Sequence, residues 1–271
     1  MKIAELKELA KNIRIHTLNE VYTSQSGHLG GSFSAADILT VLYFEVMDFT
    51  KENARSLDRD RFILSKGHAA PLLYAILAEK GVIEKEELHT LRRLHSRLQG
   101  HPNMNDLDGI DMSTGSLGQG TSVSVGMALA NRLDKNDHRI YALLGDGETE
   151  EGQVWEAAMA AGHYKLDNLC WIIDNNGLQI DGRCEDVIGP GPFEAKFEAF
   201  GWNVITVDGH NYEALRNAFE QAKEYKGKPT CIVAKTVKGK GVSFMENQAG
   251  WHGKAPNSEQ AEIALKDLEG E

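Results

Sequence analysis

Two short oxygen-rich tracts carry the first chemistry in the sequence. Gly145-Asp146-Gly147 and Asp174-Asn175-Asn176 each close an apolar run, with 27 residues between Gly147 and Asn175. Asp146 offers a carboxylate oxygen and Asn176 an amide oxygen, and a bend after Asn176 can turn a backbone carbonyl inward, most simply that of Leu178. Three hard oxygens with one negative charge are too few for a calcium cage. They suit Mg²⁺, which takes six oxygens at about 2.0–2.1 Å and usually completes the set from water and phosphate. Gly145 and Gly147 lack a Cβ, so the backbone can turn sharply there and approach a diphosphate. The pair of tracts predicts a metal–diphosphate site. Four histidines, His28, His68, His101 and His252, stand beside glycine in loops. One loop histidine is ordinarily a surface residue, but four in the same setting point to proton transfer and oxygen recognition near neutral pH. His16, His89, His95 and His138 read as surface positions, and His163 and His210 as structural ones.

These residues need strand ends to hold them. Leu143–Asp181 reads as strand, turn, helix and strand, with Trp155, Ala158, Met159 and Gly162 on one helix face. In an open parallel sheet such strand tips lie side by side at the carboxyl edge, where ligands bind. Further strands are expected at Arg61–Ser65, Val204–Val207 and Thr230–Lys235. Helices are expected at Ile3 to about Ser24, from a Ser34 cap to about Met47, from Pro71, over Glu84–Arg97 on the surface, and from the Ser113–Gly120 loop through Leu133. Shorter ones follow within Gly191–Phe200, over Tyr212–Tyr225, and as an exposed terminal helix at Ser258–Leu268. Lys238–His252 reads as a polar loop. Alternating strands and helices imply an α/β fold: a doubly wound, mainly parallel sheet flanked by helices, in a single domain over residues 1–271.

Composition narrows the function. The chain has 271 residues and a formal net charge of −11, which argues against nucleic acid as the main partner. An anionic ligand remains compatible, because a metal ion and local dipoles can reverse the field at one site. Cys170, Cys184 and Cys231 form no C-x-x-C, and Cys170 and Cys231 lie in apolar runs expected in the core. Sparse, odd cysteines suit a reducing cytoplasm. No signal-like segment opens the chain and no apolar run reaches membrane-span length, so a membrane is not expected as a partner.

The motifs SGHLGG, SKGHAAPLLYA, GHPN, STGSLGQG, LGDGETEEGQVWEA, DNNGLQIDG and KGKGVSFMENQAGWHGK occur in the order found in transketolase. The G-D-G to N-N stretch resembles the thiamine diphosphate motif of thiamine enzymes. The SKGHA, STGSLGQG and WHGK segments are similar to transketolase in particular, over nearly the whole chain. Leu29 departs from the proline that many transketolases carry after the first histidine, a change that bears on either loop stiffness or substrate preference. The resemblance implies that Asp146, Asn176 and the Leu178 carbonyl hold Mg²⁺, and that Gly147, His68, Lys238 and His252 bind thiamine diphosphate. By itself Lys238 reads as a solvated loop lysine beside Lys235 and Lys240. Gly115 and Leu117 would lie against the cofactor's rings, and Asn176 would serve both metal and cofactor. His28, His101 and His252 would face the sugar and its moving protons. Glu151 resembles a carboxylate at the family's subunit contact, although its local reading is a favourable charge in a helix's first turn.

The resemblance covers only the first of the family's three domains. The glutamate that activates the thiamine lies in the second, so a companion carboxy-terminal, pyrimidine-domain chain is expected, with two copies of each (α2β2). The expected reaction moves a two-carbon glycolaldehyde unit from a ketose phosphate to an aldose phosphate. Another thiamine diphosphate enzyme acting on an unusual sugar or a 2-oxo acid, and a non-catalytic protein that binds cofactor or a partner, are the alternatives.

Overall fold

The structure, a computed structural model, describes residues 1–270. Five parallel strands form its centre: β1 (Arg61–Leu64), β2 (Ile140–Gly145), β3 (Leu169–Asn175), β6 (Asn203–Asp208) and β7 (Thr230–Lys235), in the order β1-β2-β3-β7-β6. Between β3 and β6 a two-residue-per-strand antiparallel hairpin intervenes, β4 (Leu178–Gln179) with β5 (Gly182–Arg183). The doubly wound α/β architecture follows from the connections. Steps from β1 to β2, β3 and β6 all move one way across the sheet, and the step from β6 to β7 moves back. Right-handed crossovers therefore send helices to both faces.

Side-chain alternation confirms which helices cover which face. Ile140, Ala142 and Leu144 of β2, Trp171 and Ile173 of β3, and Cys231 and Val233 of β7 pack in one cluster. Against them lie α4 (Gln119–Leu133), α5 (Gly152–His163) and α7 (Phe193–Ala199). Tyr141 and Leu143, Cys170 and Ile172, and Ile232 and Ala234 point the other way. They meet α1 (Ile3–Ser24), α2 (Gly30–Val41), α3 (Ala70–Glu79) and α8 (Tyr212–Glu224), with α9 (Ser258–Gly270) packed on α1. The four-residue α6 (Cys184–Val187) follows the hairpin. Strands buried on both faces read as continuous apolar runs, which is the pattern seen in β2 and β3.

Four local expectations change. The helix expected at Glu84–Arg97 is a short 3₁₀ turn, Lys85–Thr90, because Arg92 and His95 adopt left-handed backbone (φ 56° and 67°). Leu88, Leu91 and Leu98 are drawn into the core while the charged residues between them loop outward. Ser34 is not a cap: α2 starts at Gly30, and Ser34 lies inside it with its hydroxyl turned to the sheet. The buried face of α5 is Val154, Ala157, Ala158 and Ala161, leaving Met159 58% exposed. The terminal helix and the Lys238–His252 loop are less exposed than their polarity suggests, since Ala264, Leu268, Val242 and Met245 are all fully buried. All three cysteines are buried and unpaired. Among the described residues no helix is long and apolar enough to cross a membrane.

Trp171 is fully buried between β3 and its helices; its indole N–H donates to Ser124 (2.8 Å), and its ring lies 4.6 Å from that of Trp202. Trp171→Ala should cost about 3–5 kcal/mol, read as a lowered midpoint in urea unfolding.

Candidate active site

The carboxyl ends of β1, β2, β3 and β7 converge, as an open parallel sheet requires of a ligand site. Beyond β1 run Ser65, Lys66 and a 3₁₀ turn carrying His68. Beyond β2 comes Asp146, beyond β3 come Asn176 and Leu178, and beyond β7 comes Lys238. His68, Leu117, Asp146, Gly147, Asn176, Leu178, Lys238 and His252 line one cavity. Three more residues named from the sequence join it through ring contacts. His28 lies 5.2 Å from His68, 5.5 Å from His252 and 6.4 Å from His101, centroid to centroid. Gly115 backs onto His101: its φ is 141°, and a Cβ there would lie 2.8 Å from the imidazole Cδ2, so only glycine suits both constraints. All the residues singled out for chemistry are thus gathered in one place. Gly147 needs its lack of a Cβ for a different reason from the one expected. Its φ is not left-handed; a Cβ would sit 2.9 Å from the Gln179 Cβ in the hairpin.

The oxygen cluster is built around a buried carboxylate. Asp146 is 3% exposed, and its carboxylate accepts from the Gly147 N–H (2.8 Å) and the Gly177 N–H (2.5 Å). Even so, burial, with Asp174 nearby, pushes its pKa up to about 6. The Asn176 side-chain oxygen accepts from the Leu178 N–H (3.1 Å), and the Leu178 carbonyl accepts from the Lys238 ammonium (3.1 Å). One carboxylate, one amide oxygen and one carbonyl already attended by a cation form an all-oxygen donor set, the type that Mg²⁺ prefers. The set holds one acidic side chain, and among the described residues no group of three or more His, Cys, Asp or Glu forms a metal cluster.

The histidines are neutral bases here. Burial, then Arg92, lowers His28 to about 4; burial, then Lys238, lowers His252 to about 3. His68 is driven well below its usual value by burial and then Lys66, and His101 is lowered by burial and then Arg92. Burial and Lys66 also bring Lys238 down to about 8, which leaves it a cation at neutral pH. An ammonium only donates, so its 2.9 Å contact with His252 Nδ1 makes that nitrogen the acceptor and puts the ring proton on Nε2. His28 Nδ1 is buried without a hydrogen-bond partner, as is the Thr114 hydroxyl.

A family model described as the transketolase, thiamine diphosphate binding domain matches residues 6–268. The chain belongs to the transketolase family. It is 46% identical over 267 residues to a 6-deoxy-6-sulfo-D-fructose transketolase subunit of a Clostridium species, spanning 98% of this chain and 97% of that protein. It is 41% identical over 268 residues to an apulose-4-phosphate transketolase subunit of Phocaeicola vulgatus, covering 99% and 95% of the two. The solved transketolase of Campylobacter jejuni superimposes with a TM-score of 0.92 at 37% identity, over 99% of this chain but 43% of that one.

Two positioning carboxylates were not apparent from the transketolase motifs alone. Asp174 is fully buried and accepts from Lys66 (2.5 Å), Ser34 (2.6 Å), Asn176 (3.3 Å) and the Thr236 hydroxyl. Lys66 also donates to the Gly31 carbonyl (2.7 Å) at the start of α2. Glu148, also buried, accepts from Ser65 (2.5 Å), the Gly118 N–H (3.0 Å) and the Gly145 N–H (3.0 Å). It ties the loops after β1, before α4 and after β2 together. The sole sequence signal for either was an acid inside or beside a recognised motif.

Two measurements check this picture. Lys66→Met leaves the Asp174 carboxylate buried without its cation, and should cost about 3–5 kcal/mol in urea unfolding at neutral pH. Histidines held below their unfolded value of 6.5 add stability that is complete above that pH. It is lost as pH falls through the window down to about 4 for His28 and about 3 for His252. The stability–pH curve of a His28→Gln, His252→Gln double variant should therefore be shallower across that window than that of the parent.

Proposed function

We propose that this chain is the amino-terminal subunit of a thiamine diphosphate-dependent transketolase. In this reading it moves a glycolaldehyde unit from a ketose phosphate to an aldose phosphate, together with a companion chain that supplies the pyrimidine domain. The observation that carries it is the convergence of the Asp146–Asn176–Leu178 oxygens, Lys238 and four neutral histidines on one cavity at the strand tips. Bound thiamine diphosphate supplies the carbanion chemistry by which a C–C bond is broken and remade. Asp146, Asn176 and the Leu178 carbonyl would hold Mg²⁺, whose charge would offset that of the buried Asp146 carboxylate. Lys238, His68, His252 and the Gly147 backbone, which line the same cavity, would hold the diphosphate. Leu117 and Gly115 would lie against the cofactor's rings.

His28, His101 and His252 act on the sugar. Each imidazole is neutral at pH 7, so each can accept a hydroxyl proton or hydrogen-bond an oxygen without prior deprotonation. The Lys238 contact leaves the His252 Nε2–H as a donor.

A need for a companion is supported by two relatives named as subunits whose lengths match this chain, and by Ile180, which is 66% exposed while lining the cavity. Glu151, exposed at the start of α5, is the carboxylate we place at the contact between subunits. We place two copies of each chain in the complex and, from the three free thiols, locate it in the cytoplasm. A second reading keeps the reaction and changes the sugar. It is favoured by the 46% identity to a relative named for a sulfonated fructose.

A donor screen with the companion present separates these readings. Two-carbon transfer from xylulose 5-phosphate to ribose 5-phosphate supports the first, and transfer only from a sulfonated or otherwise unusual ketose supports the second. Absence of transfer from every ketose, with the two chains shown to associate, overturns both. Asp146→Ala should weaken Mn²⁺ binding at least about tenfold by electron paramagnetic resonance and remove transfer with either donor.

A further inference from the structure

A second cavity, of about 420 Å³, opens where α1, α2 and the chain following β6 meet. None of its lining residues lines the cavity at the strand tips. Its floor is a closed polar network centred on Asp37. That carboxylate accepts two hydrogen bonds from Arg14 (3.0 and 2.7 Å), one from the Tyr212 hydroxyl (2.5 Å) and one from His210 Nδ1 (2.7 Å). The direction of the last bond is fixed from outside, because the Val237 N–H donates to His210 Nε2 (2.9 Å) and the ring proton must sit on Nδ1. Burial opposes the charge on Asp37, but Arg14 and His210 outweigh it and hold the carboxyl far below its usual range. Asp37 and Arg14 therefore cancel, and the floor adds no net charge.

Above this neutral floor the wall is basic. Lys7 and Lys11, one turn apart on α1, and Lys240, on the loop after β7, are part of the cavity's lining, so three lysines there face two carboxylates, Glu8 in the lining and Glu246 beside Lys240. In a chain of formal net charge −11 this is a local reversal of sign. Lys11 is paired with Glu8 (2.6 Å) and Lys240 with Glu246 (3.2 Å), both at partly exposed positions. Ion pairs of that kind contribute little and are readily exchanged for a better anion. A phosphoryl dianion offers three oxygens to swivelling ammonium groups, which bind phosphate as point charges.

We propose that this cavity is a binding site for a small phosphorylated anion, separate from the site at the strand tips and independent of the transketolase reading. Amide signals of the ¹⁵N-labelled chain, followed while inorganic phosphate is added, test it. Lys7, Lys11, His210 and Lys240 should shift saturably, and a Lys7→Glu, Lys11→Glu double variant should weaken that response at least about tenfold. Shifts at Gly147 and Asn176, which report any phosphate held at the strand tips, should be unchanged in the variant. Lys240→Gln, which leaves α1 intact, should weaken the first set as well, so the result does not hang on one variant's folding. Fructose 6-phosphate in place of phosphate, with fructose as control, distinguishes a sugar phosphate from free phosphate as the occupant. Absence of saturable shifts at these four amides with either phosphate, or equal midpoints in parent and both variants, overturns the proposal.

Discussion

The Lys66–Asp174 ion pair is the interaction on which the site rests. It is buried at both ends, and a carboxylate and an ammonium taken out of water are held there only because their remaining bonds are filled. Ser34, Thr236 and Asn176 complete Asp174, and the Gly31 carbonyl completes Lys66. Those partners come from α2, from the end of β7 and from the loops after β1 and β3. One pair thus fixes the relative positions of the elements that carry His28, His68, Asn176 and Lys238.

Charge at the site is arranged around what a ligand would bring. Asp146 is held as an acid near 6, Lys238 is lowered to about 8, and the histidines are kept neutral. Each shift has burial as its largest cause, and each marks a group whose charge lacks full compensation within this chain. A divalent cation beside Asp146 and a diphosphate beside Lys238 would supply both missing charges at once. The proposed chemistry and the electrostatic strain in the chain are two views of one arrangement.

Much of this was legible in the sequence, for a physical reason. Hard oxygens and glycines at strand tips, and histidines beside glycines, are local signals, and the parallel sheet brings local signals at strand ends together. What the sequence concealed depends on long-range partners. Asp174 sits inside the recognised Asp-Asn-Asn tract, yet its role comes from Lys66, 108 residues away, and Glu148 reaches 83 residues to Ser65. The helix expected at Glu84–Arg97 failed because charge periodicity says nothing of the left-handed turns at Arg92 and His95 that let Leu91 and Leu98 reach the core. Of the α5 face read from the sequence, Trp155, Ala158 and Gly162 pack inward and Met159 does not, because the alanines Ala157 and Ala161 complete the buried face.

The central claim is that this chain provides one half of a thiamine diphosphate site, and calorimetric titration tests it most directly. Thiamine diphosphate with Mg²⁺ would be titrated into this chain alone and into its mixture with a pyrimidine-domain chain. The account predicts weak binding to the chain alone and tight binding, at one cofactor per chain, in the mixture. Equally tight binding by the chain alone would contradict the half-site. No binding in a mixture whose chains are shown to associate would contradict the cofactor assignment itself.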